Sequence, residues 1–167
     1  MGSGRLHLNR LNILLVDDHQ NMRRIWMSIL KGFNITSVIE AECAAQALEI
    51  LKDKSIDIAI IDLILPDLTG AELIGLVRRS EDSSDPLLPM IACTADTRKS
   101  VVYSLINAGV DEVLTKPVAP LAAWQRLQAV TTKRRDFIRT PDYFGPDRRR
   151  AKDPRYKGPD RRESHFI

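Results

Sequence analysis

Near its middle the chain reads Ile56-Asp57-Ile58-Ala59-Ile60-Ile61-Asp62, a short and mainly apolar run that ends at a carboxylate. A run of this length and composition is typical of a strand that is buried on both faces. The next stretch, Leu65-Pro66-Asp67-Leu68-Thr69-Gly70, breaks the pattern, and apolar residues at helical spacing follow over 71–77. These residues therefore predict a buried strand, a loop and a helix in succession.

The same alternation extends in both directions along the chain. It predicts helices at 21–31, 44–51, 71–77, 101–108 and 121–130, and strands at 12–16, 36–39, 56–61, 87–93 and 110–114. Short apolar strands that alternate with helices favour a parallel sheet covered on both faces. Because crossovers in such sheets are right-handed, the predicted fold class is α/β, with a doubly wound sheet of five parallel strands.

Polar residues follow four of the predicted strands: Asp17 and Asp18, then Asp62, Thr94 and Lys116. Ligands of a doubly wound sheet bind beyond the carboxyl ends of its strands. Three carboxylates that converge there repel one another unless a cation lies between them, and their oxygens suit Mg²⁺. A carboxylate beside Mg²⁺ can accept a phosphoryl group as an acyl phosphate, with Thr94 and Lys116 placed to bond its oxygens.

The segments Asp17-Asp18, Asp62 to Gly70, Thr94-Ala95 and Lys116-Pro117 resemble, in this order, the receiver domain of bacterial response regulators, the CheY-like family. The resemblance covers about residues 11–131 and implies a flavodoxin-like fold. It implies that Asp62 is the phosphoacceptor, that Asp17 and Asp18 organise Mg²⁺ with Asp62, and that Thr94 and Lys116 sense the phosphoryl group. It further implies a signalling protein, not an enzyme, with a histidine kinase as a possible partner.

Two positions depart from the pattern of that family. Receivers commonly have an aromatic residue three positions before the lysine, where this chain has Val113, and a polar residue two positions after the acceptor, where it has Ile64. The first departure predicts weaker coupling between phosphorylation and output.

The C-terminal extension differs from the rest of the chain in charge. Residues 133–163 contain twelve Lys/Arg and six Asp/Glu, which gives this segment a charge of +6 and leaves −3 for the remainder of a chain whose net charge is +3. The segment Pro141–Arg149 also recurs thirteen positions later as Pro154–Arg162, and the two copies share a tyrosine, a Gly-Pro pair, an aspartate and two arginines at matching positions. A basic appendage on an acidic body predicts a negatively charged partner.

Each copy of the repeat supplies groups that recognise guanine nucleotides. Arginine bonds the O6 and N7 edge of guanine, arginine and tyrosine planes stack on bases, and spare guanidinium groups pair with phosphate. The extension also resembles the arginine-rich tail of the CheY-like effector (Cle) proteins, which bind cyclic di-GMP and are associated with docking onto the flagellar motor. The predicted cyclic di-GMP-binding residues are Tyr143, Gly145, Asp147, Arg148, Arg149, Arg155, Tyr156, Gly158, Pro159, Asp160, Arg161 and Arg162.

Two other interpretations of the extension remain open. It could bind nucleic acid or an acidic protein, with an affinity that depends steeply on salt, or it could be a solvated tail with no specific ligand. Its residues are too few and too polar for an independent core, so no DNA-binding output domain is expected. The predicted organisation is thus a receiver at 11–132 followed by a polar, largely irregular extension at 133–167.

The predicted function is that of a stand-alone receiver whose tail binds cyclic di-GMP and controls docking to a partner such as the flagellar motor switch. The alternative is a chemotaxis or phosphorelay receiver driven by phosphorylation of Asp62, with the tail as an accessory. No apolar run approaches the ~20 residues that span a bilayer. The lack of such a run, together with two cysteines outside any metal-type spacing, predicts a cytoplasmic protein.

Overall fold

A computed structural model describes residues 8–149 and the backbone of residues 163–165. It contains five parallel strands and five helices in alternation over residues 12–132. The strands are β1 (Asn12–Val16), β2 (Ser37–Ala41), β3 (Ile58–Asp62), β4 (Met90–Thr94) and β5 (Glu112–Thr115). The helices are α1 (Gln20–Gly32), α2 (Ala44–Asp53), α3 (Gly70–Arg79), α4 (Lys99–Ala108) and α5 (Pro120–Thr132).

The strands form one sheet in the order β2-β1-β3-β4-β5. Alternate residues of each strand face opposite sides, so every interior strand contributes to two apolar layers. Leu14 packs with the layer beneath α2, α3 and α4, while its neighbour Leu15 packs with the layer beneath α1 and α5. The doubly wound α/β fold predicted from the sequence is therefore confirmed.

Strand ends differ from the prediction where apolar residues are buried in loops. Leu88 is 1% exposed but lies before β4, and Val110 is 3% exposed but lies before β5. Burial of an apolar side chain needs a core neighbour and does not need a strand, so the apolar run is longer than the strand it contains.

The loop between β3 and α3 is fixed by side chains that cap two helices. The Asp67 carboxylate accepts hydrogen bonds from the N–H groups of Ala44 and Ala45, both at 2.9 Å, which holds its pKa below the usual value. Thr69 and Glu72 form a reciprocal capping box at the start of α3. A Cβ atom at Gly70 would collide with the backbone carbonyl of Asp62, so this position requires glycine. The loop is thereby held directly behind Asp62.

The extension departs from the irregular structure that its composition predicts. Strands β6 (Phe137–Thr140), β7 (Tyr143–Pro146) and β8 (Glu163–His165) form a second, antiparallel sheet in the order β7-β6-β8. This corrects the prediction for residues 137–146. The physical reason is that Phe137, Ile138, Tyr143 and Phe144 are all buried, between 5% and 7% exposed, with the two phenylalanine rings edge to face at 5.5 Å.

The β6–β7 hairpin is attached to the receiver at the amino end of β5. Arg134 Nε donates a 2.8 Å hydrogen bond to the carboxylate of Asp111, and Arg135 donates to the backbone carbonyl of the same residue. A Cβ at Gly145 would lie 2.7 Å from the Cα of Gly109, which shows how closely the two backbones approach. Within the described residues, no helix has the length and apolar character needed to cross a membrane.

Candidate functional site

Three carboxylates converge at the carboxyl edge of the sheet. Asp17 follows β1 and is 2% exposed, while Asp62 is the last residue of β3 and is 6% exposed. One ligand atom from each of Asp17, Asp18, His19 and Asp62 lies within 4.8 Å of the others. Oxygen donors in such a cluster are those that a hard divalent cation such as Mg²⁺ prefers, so the residues present fit that ion.

The ammonium group of Lys116 forms ion pairs with two carboxylates of this cluster. Its Nζ atom lies 2.8 Å from Oδ1 of Asp62 and 3.3 Å from Oδ2 of Asp17, and its side chain is 17% exposed. The lysine follows β5, and its backbone N–H donates to the carbonyl of Thr94 at the end of β4. Pairing between adjacent strands therefore sets the distance between Lys116 and the acidic residues.

The pKa values of Asp62 and Lys116 are both raised, for different reasons. Burial raises the pKa of Asp62 above the usual aspartate value; the hydrogen bond and charge of Lys116 act against this, and repulsion from Asp17 and Asp18 adds to it. Burial by itself would lower the pKa of Lys116, but its bonds to Asp62 and Asp17 outweigh burial, so its pKa is raised. The lysine therefore stays charged at neutral pH.

Thr94 completes one wall of a cleft of about 530 Å³ that also includes Asp62 and Lys116. The Thr94 hydroxyl accepts a 2.9 Å hydrogen bond from the N–H of Asp96 and donates to the carbonyl of the same residue at 3.2 Å. The structure thus brings together all five residues that the sequence predicts for this site: Asp17, Asp18, Asp62, Thr94 and Lys116.

The two positions that depart from the family pattern have different environments. Ile64 is 71% exposed and lies at the mouth of the cleft. Val113 is partly buried and packs against the apolar layer beneath α2, α3 and α4. An aliphatic side chain held in that layer does not supply the aromatic ring that the family commonly has at this position.

Two residues near the acidic cluster were not predicted as site residues from the sequence. His19 Nδ1 lies 2.9 Å from Oδ1 of Asp18, and the His19 N–H donates a 2.9 Å bond to Oδ1 of Asp17. Arg23, on the first turn of α1, donates to the backbone carbonyl of Asp17 at 2.7 Å. The position of His19 directly after the acidic pair was an available signal, whereas nothing in the sequence distinguishes Arg23 from its neighbour Arg24.

The family model described as the response regulator receiver domain matches residues 13–128 of this chain. The chain belongs to this family. The receiver shares 31% identity over 121 residues with the chemotaxis protein CheY homolog of Campylobacter jejuni, across 72% of this chain and 92% of that protein. It shares 33% identity over 122 residues with chemotaxis protein CheY1 of Helicobacter pylori, across 72% and 96% of the two chains.

Solved structures agree with this assignment. Chemotaxis protein CheY4 of Vibrio cholerae superposes with a TM-score of 0.66 at 26% identity, over 72% of this chain and 98% of that one. The receiver domain of the Pseudomonas aeruginosa sensor histidine kinase PA1611, with a magnesium ion coordinated in its active-site cleft, superposes with a TM-score of 0.63 at 24% identity, over 71% of this chain and 94% of that one. At that identity the second likeness concerns the fold alone.

The first copy of the C-terminal repeat divides into a buried part and a surface part. Tyr143 is 6% exposed and its hydroxyl donates a 2.7 Å bond to the carbonyl of Pro146, while Gly145 is buried against Gly109. Arg148 is exposed, with its guanidinium carbon 4.6 Å from the centre of the Tyr143 ring.

The surface part of this first copy is held by one bond to α4 and by one bond within the copy. Arg148 Nη1 donates a 2.8 Å bond to the side-chain oxygen of Asn107, and the Arg149 N–H donates a 3.0 Å bond to the Asp147 carboxylate. The remaining predicted ligand-binding residues lie outside the described residues; these are Arg155, Tyr156, Gly158, Pro159, Asp160, Arg161 and Arg162.

Proposed function

We propose that this protein is a signalling receiver that accepts a phosphoryl group on Asp62. The observation that carries the proposal is the buried carboxylate of Asp62, 2.8 Å from Lys116 Nζ and clustered with Asp17 and Asp18. The names of the CheY relatives favour chemotaxis as the process. We further propose a histidine kinase as the phosphoryl donor and the flagellar motor switch as the partner.

In the proposed reaction an Asp62 carboxylate oxygen attacks the phosphorus of a phosphohistidine. A bond from oxygen to phosphorus forms, the bond from phosphorus to nitrogen breaks, and the imidazole leaves with the electron pair. Mg²⁺ held by Asp17, Asp18 and Asp62 would neutralise charge on the transferred oxygens. Lys116 already lies within bonding distance of Asp62, so its ammonium can pair with the new phosphoryl group without a large movement.

Thr94 would respond to the phosphoryl group by exchanging partners. Its hydroxyl donates only a 3.2 Å bond to the Asp96 carbonyl, and rotation of the hydroxyl would let it donate to a phosphoryl oxygen instead. Since Val113 replaces the common aromatic residue, we expect this rearrangement to reach the partner surface through the Asp96 loop rather than through rotation of a ring.

The test is phosphorylation by a small donor, phosphoramidate, with Mg²⁺, followed by intact mass spectrometry. Wild type should gain one phosphoryl group, and Asp62→Asn should gain none. Asp53→Asn, a change to an exposed aspartate at the end of α2, is the matched control and should react like wild type. A phosphoryl group on Asp62→Asn, or none on wild type, would reject Asp62 as the acceptor.

A second candidate function, binding of cyclic di-GMP by the extension, is favoured by the surface part of the first repeat copy. Arg148 presents a guanidinium that is stacked on Tyr143 and bonded to Asn107, so less side-chain freedom is lost when a ligand binds. The same residue types recur at Asp160, Arg161 and Arg162. A ligand with two guanines and two phosphates matches two such copies in chemistry.

Calorimetry with the full-length protein separates this function from a salt-dependent basic tail. We expect cyclic di-GMP to bind at micromolar concentration or tighter and GTP to bind far more weakly. Paired changes Arg148→Ala/Arg149→Ala and Arg161→Ala/Arg162→Ala should each weaken binding, whereas Asp62→Asn should not. Equal heats from cyclic di-GMP and GTP that vanish at high salt would instead indicate general attraction of anions.

A further inference from the structure

Arg23 is a buried cation next to the acidic cluster that belongs to neither of the proposed binding sites. It lies on α1, and the residue is 6% exposed. Its Nη1 atom donates a 2.7 Å hydrogen bond to the backbone carbonyl of Asp17, and its Nη2 atom donates a 2.8 Å bond to Oε1 of Glu42. One guanidinium thus connects the residue after β1 with the segment after β2.

The bond to Asp17 fixes the peptide that joins Asp17 to Asp18. The Asp17 N–H is already held by the carbonyl of Ala41 at 3.1 Å, so the arginine fixes the other end of the residue. The orientation of the Asp17–Asp18 peptide determines where the Asp18 side chain begins. Arg23 therefore acts on two of the three carboxylates while it contacts neither side chain.

The guanidinium is incompletely satisfied in this position. Among the described residues, Arg23 Nε has no hydrogen-bond partner. Oε2 of Glu40 lies 3.8 Å from this nitrogen, which is too far for a hydrogen bond. A buried donor without a partner is unfavourable by itself. The bond to the Asp17 carbonyl, the ion pair with Glu42 and the longer ion pair with Glu40 are therefore the contacts that account for a charge at this site.

We propose that Arg23 is a positioning residue for the divalent-cation site, since it orients the Asp17–Asp18 pair through the Asp17 carbonyl. The inference rests on the proposed function of Asp62 and its neighbours. It predicts that loss of the guanidinium weakens Mg²⁺ binding because the carboxylates are no longer held in place, although every carboxylate remains present.

The test is a calorimetric Mg²⁺ titration of full-length variants without a phosphoryl donor, together with Tm in Mg²⁺-free buffer. Arg23→Ala should raise the Kd for Mg²⁺ by about 10-fold or more, the usual effect of losing a group that orients metal ligands. Arg23→Lys should recover part of the affinity, because one ammonium can donate to the Asp17 carbonyl but lacks the fork that also reaches Glu42. Arg24→Ala, next to it and exposed, is the matched control and should bind like wild type.

The outcomes separate this inference from the function on which it rests. If wild type binds Mg²⁺ and Arg23→Ala binds it equally well with a lower Tm, Arg23 only stabilises the fold and the inference is wrong. If Arg23→Ala does not fold, Arg23→Lys decides. A wild-type Kd for Mg²⁺ and a wild-type response of Tm to Mg²⁺ in Arg23→Lys would overturn the inference. A higher Kd for Mg²⁺ in this variant would support it. If wild type binds no Mg²⁺, the proposed site fails first and this inference fails with it.

Discussion

At the scale of single residues, Asp62 keeps a charge in a place with little access to water. The group is 6% exposed, and burial is the main cause of its raised pKa even though Lys116 lies 2.8 Å away. A carboxylate of this kind is held in the folded protein at a cost to stability. The same arrangement leaves it prepared for a ligand or a phosphoryl group that supplies the missing interactions.

We predict that Asp62→Asn raises Tm by a few degrees in Mg²⁺-free buffer near pH 7. Because the folded-state pKa of Asp62 is raised, its contribution to stability is fully present below the unfolded-state pKa and is lost as the pH rises through the folded-state value. The advantage of the Asp62→Asn variant over the ionised wild-type carboxylate should therefore shrink as the pH is lowered towards about 4, near the ordinary aspartate pKa. Differential scanning calorimetry of both proteins across this range measures it.

Added Mg²⁺ provides the control for this prediction. A ligand that binds only the folded state raises Tm, so Mg²⁺ should stabilise wild type and have little effect on Asp62→Asn. An equal Tm for the two proteins at pH 7 without Mg²⁺ would show that Lys116 compensates fully for the burial of Asp62.

At the scale of elements, the β6–β7 hairpin is attached through a network of charges that centres on Asp111. The Asp111 carboxylate accepts bonds from Arg78 Nη2 and from Arg134 Nε, each at 2.8 Å, and it also accepts from the N–H of Met90. Burial lowers the pKa of Arg78 to about 10, although its charge pairs with Asp111. Arg78 and Arg134 both stack on the ring of Phe137, which links the network to the apolar side of the hairpin.

We predict that Gly145→Ala loosens the hairpin at a cost of about 1–3 kcal/mol, the usual range for overpacking. The new Cβ would lie 2.7 Å from both the Gly109 Cα and the Tyr143 hydroxyl oxygen, so either the backbone or the buried tyrosine must move. Hydrogen exchange of the amides at 137–146 should increase, while exchange in β1, β3 and β4 should stay near wild type.

Gly32→Ala is the matched control for that change. A Cβ at Gly32 meets nothing within 4 Å, so stability should stay within about 0.5 kcal/mol of wild type. Unchanged exchange at 137–146 in Gly145→Ala would mean that the close approach of Gly145 to Gly109 does not hold the hairpin.

The sequence predicts the sheet and the acidic site better than the hairpin, for reasons visible in particular residues. Asp17, Asp62 and Lys116 each follow an apolar run, and parallel pairing brings the ends of such runs to one edge. The arginines of the extension suggest solvation, but Arg134 stacks on Phe137 and Arg139 stacks on Phe144, with its guanidinium carbon 4.1 Å from the ring centre. The partner of Arg134 is Asp111, 23 residues earlier, and local periodicity carries no information about such a contact.

At the scale of the whole molecule, the Asp111 contact that attaches the described part of the extension and the acidic site lie at opposite ends of β5. Asp111 precedes β5 and receives the extension, whereas Lys116 follows β5 and contacts Asp62. Stability that the extension contributes can therefore change without a change in the metal ligands. The predicted boundary after Thr132 remains a prediction, but it separates the receiver from residues that pack on it.

We predict that a chain ending at Thr132 has a lower Tm than the full-length protein. A chain ending at Arg149 should recover most of this loss of Tm. The shorter chain lacks Phe137 and Phe144 and leaves Asp111 without Arg134, so apolar surface and one side of a buried ion pair are exposed. The longer chain keeps these contacts and, among the contacts of the described residues, loses the pairing of β8 with β6. In a domain of this size each ~1 kcal/mol corresponds to roughly 2–4 °C, which thermal unfolding resolves. Both truncated chains should bind Mg²⁺ with wild-type affinity, because every residue of the acidic cluster remains. Reduced Mg²⁺ binding by the chain ending at Thr132 would instead show that the extension and the acidic cluster are coupled through β5.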